Sequence, residues 1–198
     1  MKNAIQTIRD EHRSIAAVLH ALKQLARDAE DPAVEPRFDV FRAMIYYIDQ
    51  FPERLHHPKE DLVLFARLEQ RAPQAKALIE ELRAEHVMGA QLIRDLEQAL
   101  VALEVGWAGG EKTFRAAVEA YAEFHWSHMR KEEEQILPLA ERVFTAEDWR
   151  EVDAAFAGND DPIADLREQD FEKLFSRIVA LAPEPLGLGE RWKKSASV

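Results

Sequence analysis

Phe124-His125-Trp126-Ser127-His128-Met129-Arg130-Lys131-Glu132 is the stretch whose reading decides the fold. His128 and Glu132 are four apart, so a helix stacks them on one face. Stepping by threes and fours, that face reads Phe114, Val118, Tyr121, His125, His128, Glu132. It is a core-facing seam that turns polar near its far end. An imidazole and a carboxylate in such a seam need partners, because an unpaired buried charge costs several kcal/mol.

Three other stretches supply them. Residues 3–30 read as an amphipathic helix with the seam Ile5, Ile8, His12, Ile15, Leu19, Leu22, Ala26. Asp31-Pro32 and Glu35-Pro36 end it. A second helix over 37–71 carries Leu55-His56-His57-Pro58-Lys59-Glu60-Asp61. Pro52 and Pro58 lie inside it and predict a kink or bulge. The third, over 74–104, has the seam Ile79, Leu82, His86, Gly89, Ile93, Leu96, Leu100, Leu103. Gly106 and Gly109-Gly110 then break the chain, and the fourth helix fills 111–144.

Four long helices on short links predict an all-α, up-down-up-down four-helix bundle. Its depths can be counted at 1.5 Å per residue: His12 lies about 14 Å into the first helix and His86 about 18 Å into the third. His56 with Glu60, and His128 with Glu132, stand at similar distances from the ends of the second and fourth. In an antiparallel bundle these ends meet those starts, so all six groups fall in one layer. The order also repeats. A lone His precedes His-x-x-x-Glu by 44 residues in the first half and by 42 in the second. Each half is a helical hairpin, and the pair implies approximate two-fold symmetry.

One histidine on an apolar face is usually a satisfied core residue. Four at one depth, with two glutamates at i+4, make a metal site. Imidazole and carboxylate suit zinc, iron and manganese. Two ions fit the count better than one, if each carboxylate bridges and each ion takes two nitrogens and two oxygens.

The neighbours compete for roles. His125 is a ligand, a proton donor, or a core histidine bonded to Tyr121 or a carbonyl; the core or supporting role is preferred. His57 and Asp61 repeat the i+4 spacing one residue on. His56 and Glu60 are preferred, because Glu60 relates to Leu64-Phe65 as Glu132 does to Ile136-Leu137. Glu85 and Glu133 are either acceptors behind the ligands or solvated. Gly89 either leaves room for a small ligand or allows close helix packing. His20 reads as rim. Of Arg130-Lys131-Glu132-Glu133-Glu134, only Glu132 is taken to face inward.

Beyond the bundle, Thr145 is a candidate N-cap for a short helix to about Phe156. A further helix is predicted over 164–181, with Leu166, Phe171, Leu174, Phe175 and Ile178 on its apolar face. A tail with Gly187-Leu188-Gly189 and Trp192 follows. The domains are therefore 1–144, the bundle, and 145–198, a C-terminal helical extension and tail packed on it.

At 198 residues, 47% hydrophobic and 32% charged, the chain suits one globular domain with an appendage. A net charge of −11 argues against nucleic acid. The absence of cysteine removes disulfides, thiolate metal sites and thiol catalysis. With neither a signal core nor a membrane-length apolar run, the expectation is a soluble cytoplasmic protein with no membrane partner.

At these residues the chain resembles the hemerythrin family, specifically the bacterial HHE cation-binding domains. The likeness rests on His12, His56-His57-Pro58-Lys59-Glu60, Glu85-His86, and His128-Met129-Arg130-Lys131-Glu132-Glu133 with Pro138 after them. It covers about residues 1–144. The resemblance implies a four-helix bundle around two non-haem irons, with zinc or manganese as alternatives and a bridging oxo or hydroxo group. The implied metal ligands are His12, His56, Glu60, His86, His128 and Glu132. The oxygen carriers of the family have a second histidine one turn on in the third helix, where this chain has Ala90. They also have an aspartate where it has Glu133. The site is thus more open and richer in oxygen.

The function expected is binding of, or reaction with, oxygen, nitric oxide or peroxide, without a commitment to catalysis. The alternatives are a metal-dependent sensing module acting on a partner or a homodimer contact, and iron storage or a metal that only staples the bundle. Acid release of the metal is expected below the ordinary histidine pKa of about 6.5.

Overall fold

The computed structural model describes residues 3–157 and, beyond them, Ile163, Ser176 and Ile178. Helix α1 is Ala4–Asp28, α2 spans 38–71, α3 is Lys76–Glu104, α4 spans 110–143 and α5 is Ala146–Phe156. Among the described residues there is no strand. Each of α1 to α4 touches its neighbour in sequence, and α4 closes the ring against α1. This is the expected four-helix bundle. No helix of the described residues is long and apolar enough to cross a membrane.

Local chemistry sets the ends. The Asn3 side chain accepts from Gln6 N and starts α1. A 3₁₀ turn, Pro73–Ala75, leads into α3. Gly106 and Gly109 take φ of +68° and +80°, which L side chains resist, and turn the chain from α3 into α4. Thr145 and Asp148 form a reciprocal capping box at α5. Asp148 also accepts two bonds from Arg71, at 2.8 and 3.0 Å, which ties α5 to the end of α2.

The prolines of α2 do not break it; they coincide with wider winding. Asp49–His56, with Pro52 inside, and Glu60–Phe65 are both π-helical, on either side of a short α stretch, His57–Lys59. In α4 the turn Glu132–Ile136 is π-helical, just ahead of Pro138. A proline ring clashes with the carbonyl four residues back, and an i→i+5 turn relieves that clash. The wider turn also brings adjacent residues to the same side: His56 and His57 are both buried.

All the seam residues read from the sequence are buried. They form two apolar bodies. One holds Ile15, Leu19 and Leu22 of α1 with Phe41, Ile48, Leu96, Phe114 and Tyr121, and also takes in Ile163 and Ile178. The other holds Ile5 and Ile8 with Leu64, Phe65, Leu82, Ile136, Leu137, and Val152 and Phe156 of α5. Each such side chain contributes roughly 1.5–3 kcal/mol on burial. Between the two bodies lies a layer of buried histidine and glutamate. At the first end, Ala4 N donates to Asp153 Oδ1 at 2.7 Å and fastens α1 to α5. Apart from Ile163, Ser176 and Ile178, the predicted 164–181 helix and the tail with Trp192 lie outside the described residues.

Candidate metal centre

The six residues chosen from the sequence come together in that layer. His12 and His56 present their Nε2 atoms 3.2 Å apart; His86 and His128 do the same at 3.0 Å. Glu60 reaches both pairs: Oε1 is 3.3 Å from His56 Nε2 and 4.0 Å from His12 Nε2, while Oε2 is 3.6 Å from His86 Nε2. Glu132 mirrors it. Its Oε2 is 3.3 Å from His12, and its Oε1 is 3.3 Å from His128 and 3.9 Å from His86.

Behind each imidazole stands a carboxylate. His56 Nδ1 donates to Glu11 and His128 Nδ1 to Glu85, at 2.7 and 3.0 Å. His12 Nδ1 donates to Glu133 and His86 Nδ1 to Asp61, at 2.9 and 3.1 Å. These bonds fix each ring so that the Nε2 lone pair faces the centre. The arrangement is two-fold. The residue before each lone His holds the His of its own hairpin; the residue after each inward Glu holds the lone His of the other.

The carboxylates Glu85 and Glu133 are therefore acceptors behind the rings rather than solvated. Asp61 is an acceptor too, not the partner of His57. Glu11, which the helical seams do not mark, is the fourth such acceptor. The repeated Glu-His dipeptide at 11–12 and 85–86 is the signal that could have found it. His20 is exposed and lies against Trp126, with ring centroids 4.6 Å apart, as a rim residue would.

The layer has the polarity of a cation site. All four carboxylate oxygens of Glu60 and Glu132 are buried without a hydrogen-bond partner. Burial by itself would lower the pKa of His56, yet Glu60 and Glu11 hold it well above its usual value. Burial is likewise outweighed at His12, by Glu132 and Glu133, and at His128, which Glu132, Glu85 and Glu60 hold up to about 10. In the same way His128 and His12 overcome burial to keep Glu132 well below the carboxylate range. Protons on these rings thus do the work of cations, and a metal must displace them. That competition begins well above the pH of about 6.5 expected for free histidine.

The chain can now be placed. The family model for the hemerythrin HHE cation binding domain matches residues 3–140. The chain belongs to that family. No curated protein and no solved structure matches it. The hemerythrin assignment indicates cation binding, and the histidine–glutamate clusters of the layer fit it.

Two clefts reach the hemerythrin layer from outside. One, of about 520 Å³, runs past Asp49, Arg94 and Ala90 to His57 and His86. The other, of about 360 Å³, reaches His12 beside His20, Trp126 and Met129. On the first side lies a further cluster. Glu53 Oε1 is 3.7 Å from His125 Nε2, and Glu53 Oε2 is 3.4 Å from His57 Nδ1. Gly89 makes room for it: a Cβ there would stand 2.9 Å from Glu53 Oε1 and 3.4 Å from His125 Nε2. The glycine lets these side chains of α2 and α4 pack closely against α3. Burial lifts the Glu53 pKa to about 7. Burial, then His128 and His86, pushes His125 down to about 3. Burial and the neighbouring imidazoles keep His57 well below its usual value. These rings are neutral near pH 7, with lone pairs available.

Proposed function

We propose that the layer holds two iron ions and that the pair binds or reacts with a small ligand: oxygen, nitric oxide or peroxide. His12, His56, Glu60 Oε1 and Glu132 Oε2 would hold one ion. His86, His128, Glu60 Oε2 and Glu132 Oε1 would hold the other. The observation that carries this reading is the division of each carboxylate: its two oxygens face different histidine pairs. Mixed nitrogen and oxygen donors suit iron, and also zinc and manganese. Bound iron would supply electrons and Lewis acidity to the ligand.

The chain's own residues do the rest. Glu11, Glu85, Glu133 and Asp61 orient the rings and raise their basicity. Ala90 adds no imidazole to the His86 side, where His57 stacks on His86 with centroids 4.2 Å apart, and it lines the cleft along which a small molecule reaches that side. The two apolar bodies keep bulk water from the layer above and below.

Anaerobic ferrous protein exposed in turn to oxygen, nitric oxide and peroxide should change its visible spectrum with at least one of them. Two irons per chain and no change with any of the three would refute ligand reactivity.

A sensing role is the second reading, and one contact favours it. The Phe156 ring of α5 stands edge-on to His56, with centroids 6.3 Å apart. Loading the layer would then alter α5. Equal hydrogen exchange over 146–157 with and without metal would count against it.

A further inference from the structure

We infer that Glu53, His57 and His125 form a third cation site, distinct from the pair and open to the cleft beside Ala90. It takes a divalent first-row ion such as zinc, ferrous iron or manganese.

The donor atoms have the right spacing. Each of the three residues offers one ligand atom, and these lie within 4.8 Å of one another. Around a four-coordinate ion with bonds of about 2.0–2.2 Å, donors stand roughly 3.3–3.6 Å apart. The contacts of Glu53, 3.4 Å from Oε2 to His57 Nδ1 and 3.7 Å from Oε1 to His125 Nε2, are close to that, and a small turn of the carboxylate brings one oxygen to both nitrogens. The donors are also short of hydrogen-bond partners, with the Tyr121 hydroxyl a neighbour of the Glu53 carboxylate. Glu53 Oε1, His57 Nδ1 and His125 Nε2 are all buried without a hydrogen-bond partner. His57 and His125 are only 4% and 2% exposed, so water does not compensate them.

Distance alone would also group His57 with Glu60, His86 and His128. Ring geometry speaks against it. The His57 and His86 rings are stacked, with centroids 4.2 Å apart and planes within 12° of parallel. An imidazole lone pair lies in the plane of its ring. An ion in the plane of His86 therefore lies out of the plane of His57. The His57 and His125 rings are near-parallel too, within 6°, but their centroids stand 5.9 Å apart, far enough for an ion between their edges after a small turn of either ring. His57 Nδ1 is also 3.4 Å from Glu53 Oε2, so His57 is left to the outer cluster.

The site is built on one side of the two-fold only. Glu53 stands three before His56 as His125 stands three before His128, so these two are symmetry mates that meet. The mate of His57 is Met129, and the mate of Gly89 is Ile15. The opposite side thus has neither the third nitrogen nor the room. The cleft on the His57 side leaves a fourth position for water or an incoming ion, and its wall carries Asp49 and Asp61.

Metal counting on the full chain tests the assignment. Protein stripped by chelator, reloaded with excess zinc and passed through a desalting column should retain three ions. His125→Ala, Glu53→Gln and Gly89→Ala should each retain two, the last because its Cβ displaces the Glu53 carboxylate. A variant with both Glu60→Gln and Glu132→Gln should lose the inner pair and keep one ion, and adding His125→Ala should remove it. Unchanged melting of the single variants separates site loss from unfolding. Two ions in the parent chain, the same two in every outer variant and none in the double-glutamine variant would overturn the third site while leaving the inner pair intact.

Discussion

His56 Nδ1 donates to Glu11 Oε2 at 2.7 Å, the shortest of the four bonds that lock the imidazoles of the layer. The two residues are 45 apart in sequence, and both are buried. A neutral amide in place of Glu11 would still accept a bond, but it would not raise the basicity of the ring. Glu11→Gln should therefore weaken metal binding by about 10- to 100-fold while the helical fold persists. Competition with a chelator of known affinity measures this. Glu85→Gln, its symmetry mate, should behave alike, and unchanged affinity in both would remove the orienting role.

Glu60 serves both histidine pairs, so its loss should not be confined to one ion. Glu60→Gln is expected to release both inner ions together, whereas His12→Ala, on one pair only, should release one preferentially. Elemental analysis after dialysis distinguishes the two patterns. A Glu60→Gln protein that keeps both inner ions would show that the carboxylate does not bridge.

The pH dependence has two opposite slopes. His128, held up to about 10, stabilises the metal-free fold. That contribution is fully present below about 6.5 and is lost as pH rises toward and through about 10. Metal binding must displace the same proton, so affinity should keep rising from pH 7 toward 9 rather than level off. Thermal melts of metal-free and loaded protein across this range should diverge as pH increases. Parallel curves would contradict the proton–metal competition.

Filling the cleft separates metal binding from ligand access. Ala90 lines the route to His86 and is only partly buried, so a larger side chain fits without opening the core. Ala90→Phe should keep the metal content and slow the spectral response to oxygen or nitric oxide at least several-fold. An unchanged rate in stopped-flow measurements would place ligand access elsewhere, and the 360 Å³ cleft beside His12 is then the alternative.

The α5 cap is independent of the metal. Thr145 Oγ1 accepts from Asp148 N, so Thr145→Ala should cost about 1 kcal/mol. The melting temperature should fall by a few degrees with metal content unchanged. Loss of metal in this variant would indicate that α5 supports the layer more directly, through Phe156 and His56.

Much of the bundle is legible in the chain because apolar residues repeat with the helical period, and every residue of the three quoted seams is buried. The six inner groups are legible in a similar way: His12, His86, His128 and Glu132 fall on those seams, and His56 and Glu60 stand at a depth in the second helix that can be counted. Glu53 is harder to see. Its spacing of four to His57 is visible, but it lies in the π-wound turn after Asp49, where α-helical counting no longer tells which way a side chain faces.

The order of the amino acids, by itself, determined the four helices of the bundle, their inward faces and the layer of histidine and glutamate, because helical periodicity and chain length are local properties. Only the tertiary structure decided which carboxylate stands behind which imidazole, how the oxygens of Glu60 and Glu132 are shared, and that His57 stacks on His86 with its Nδ1 beside Glu53. Those choices depend on directions between side chains of different helices. Directions of that kind are set by packing and by the π turns of α2 and α4.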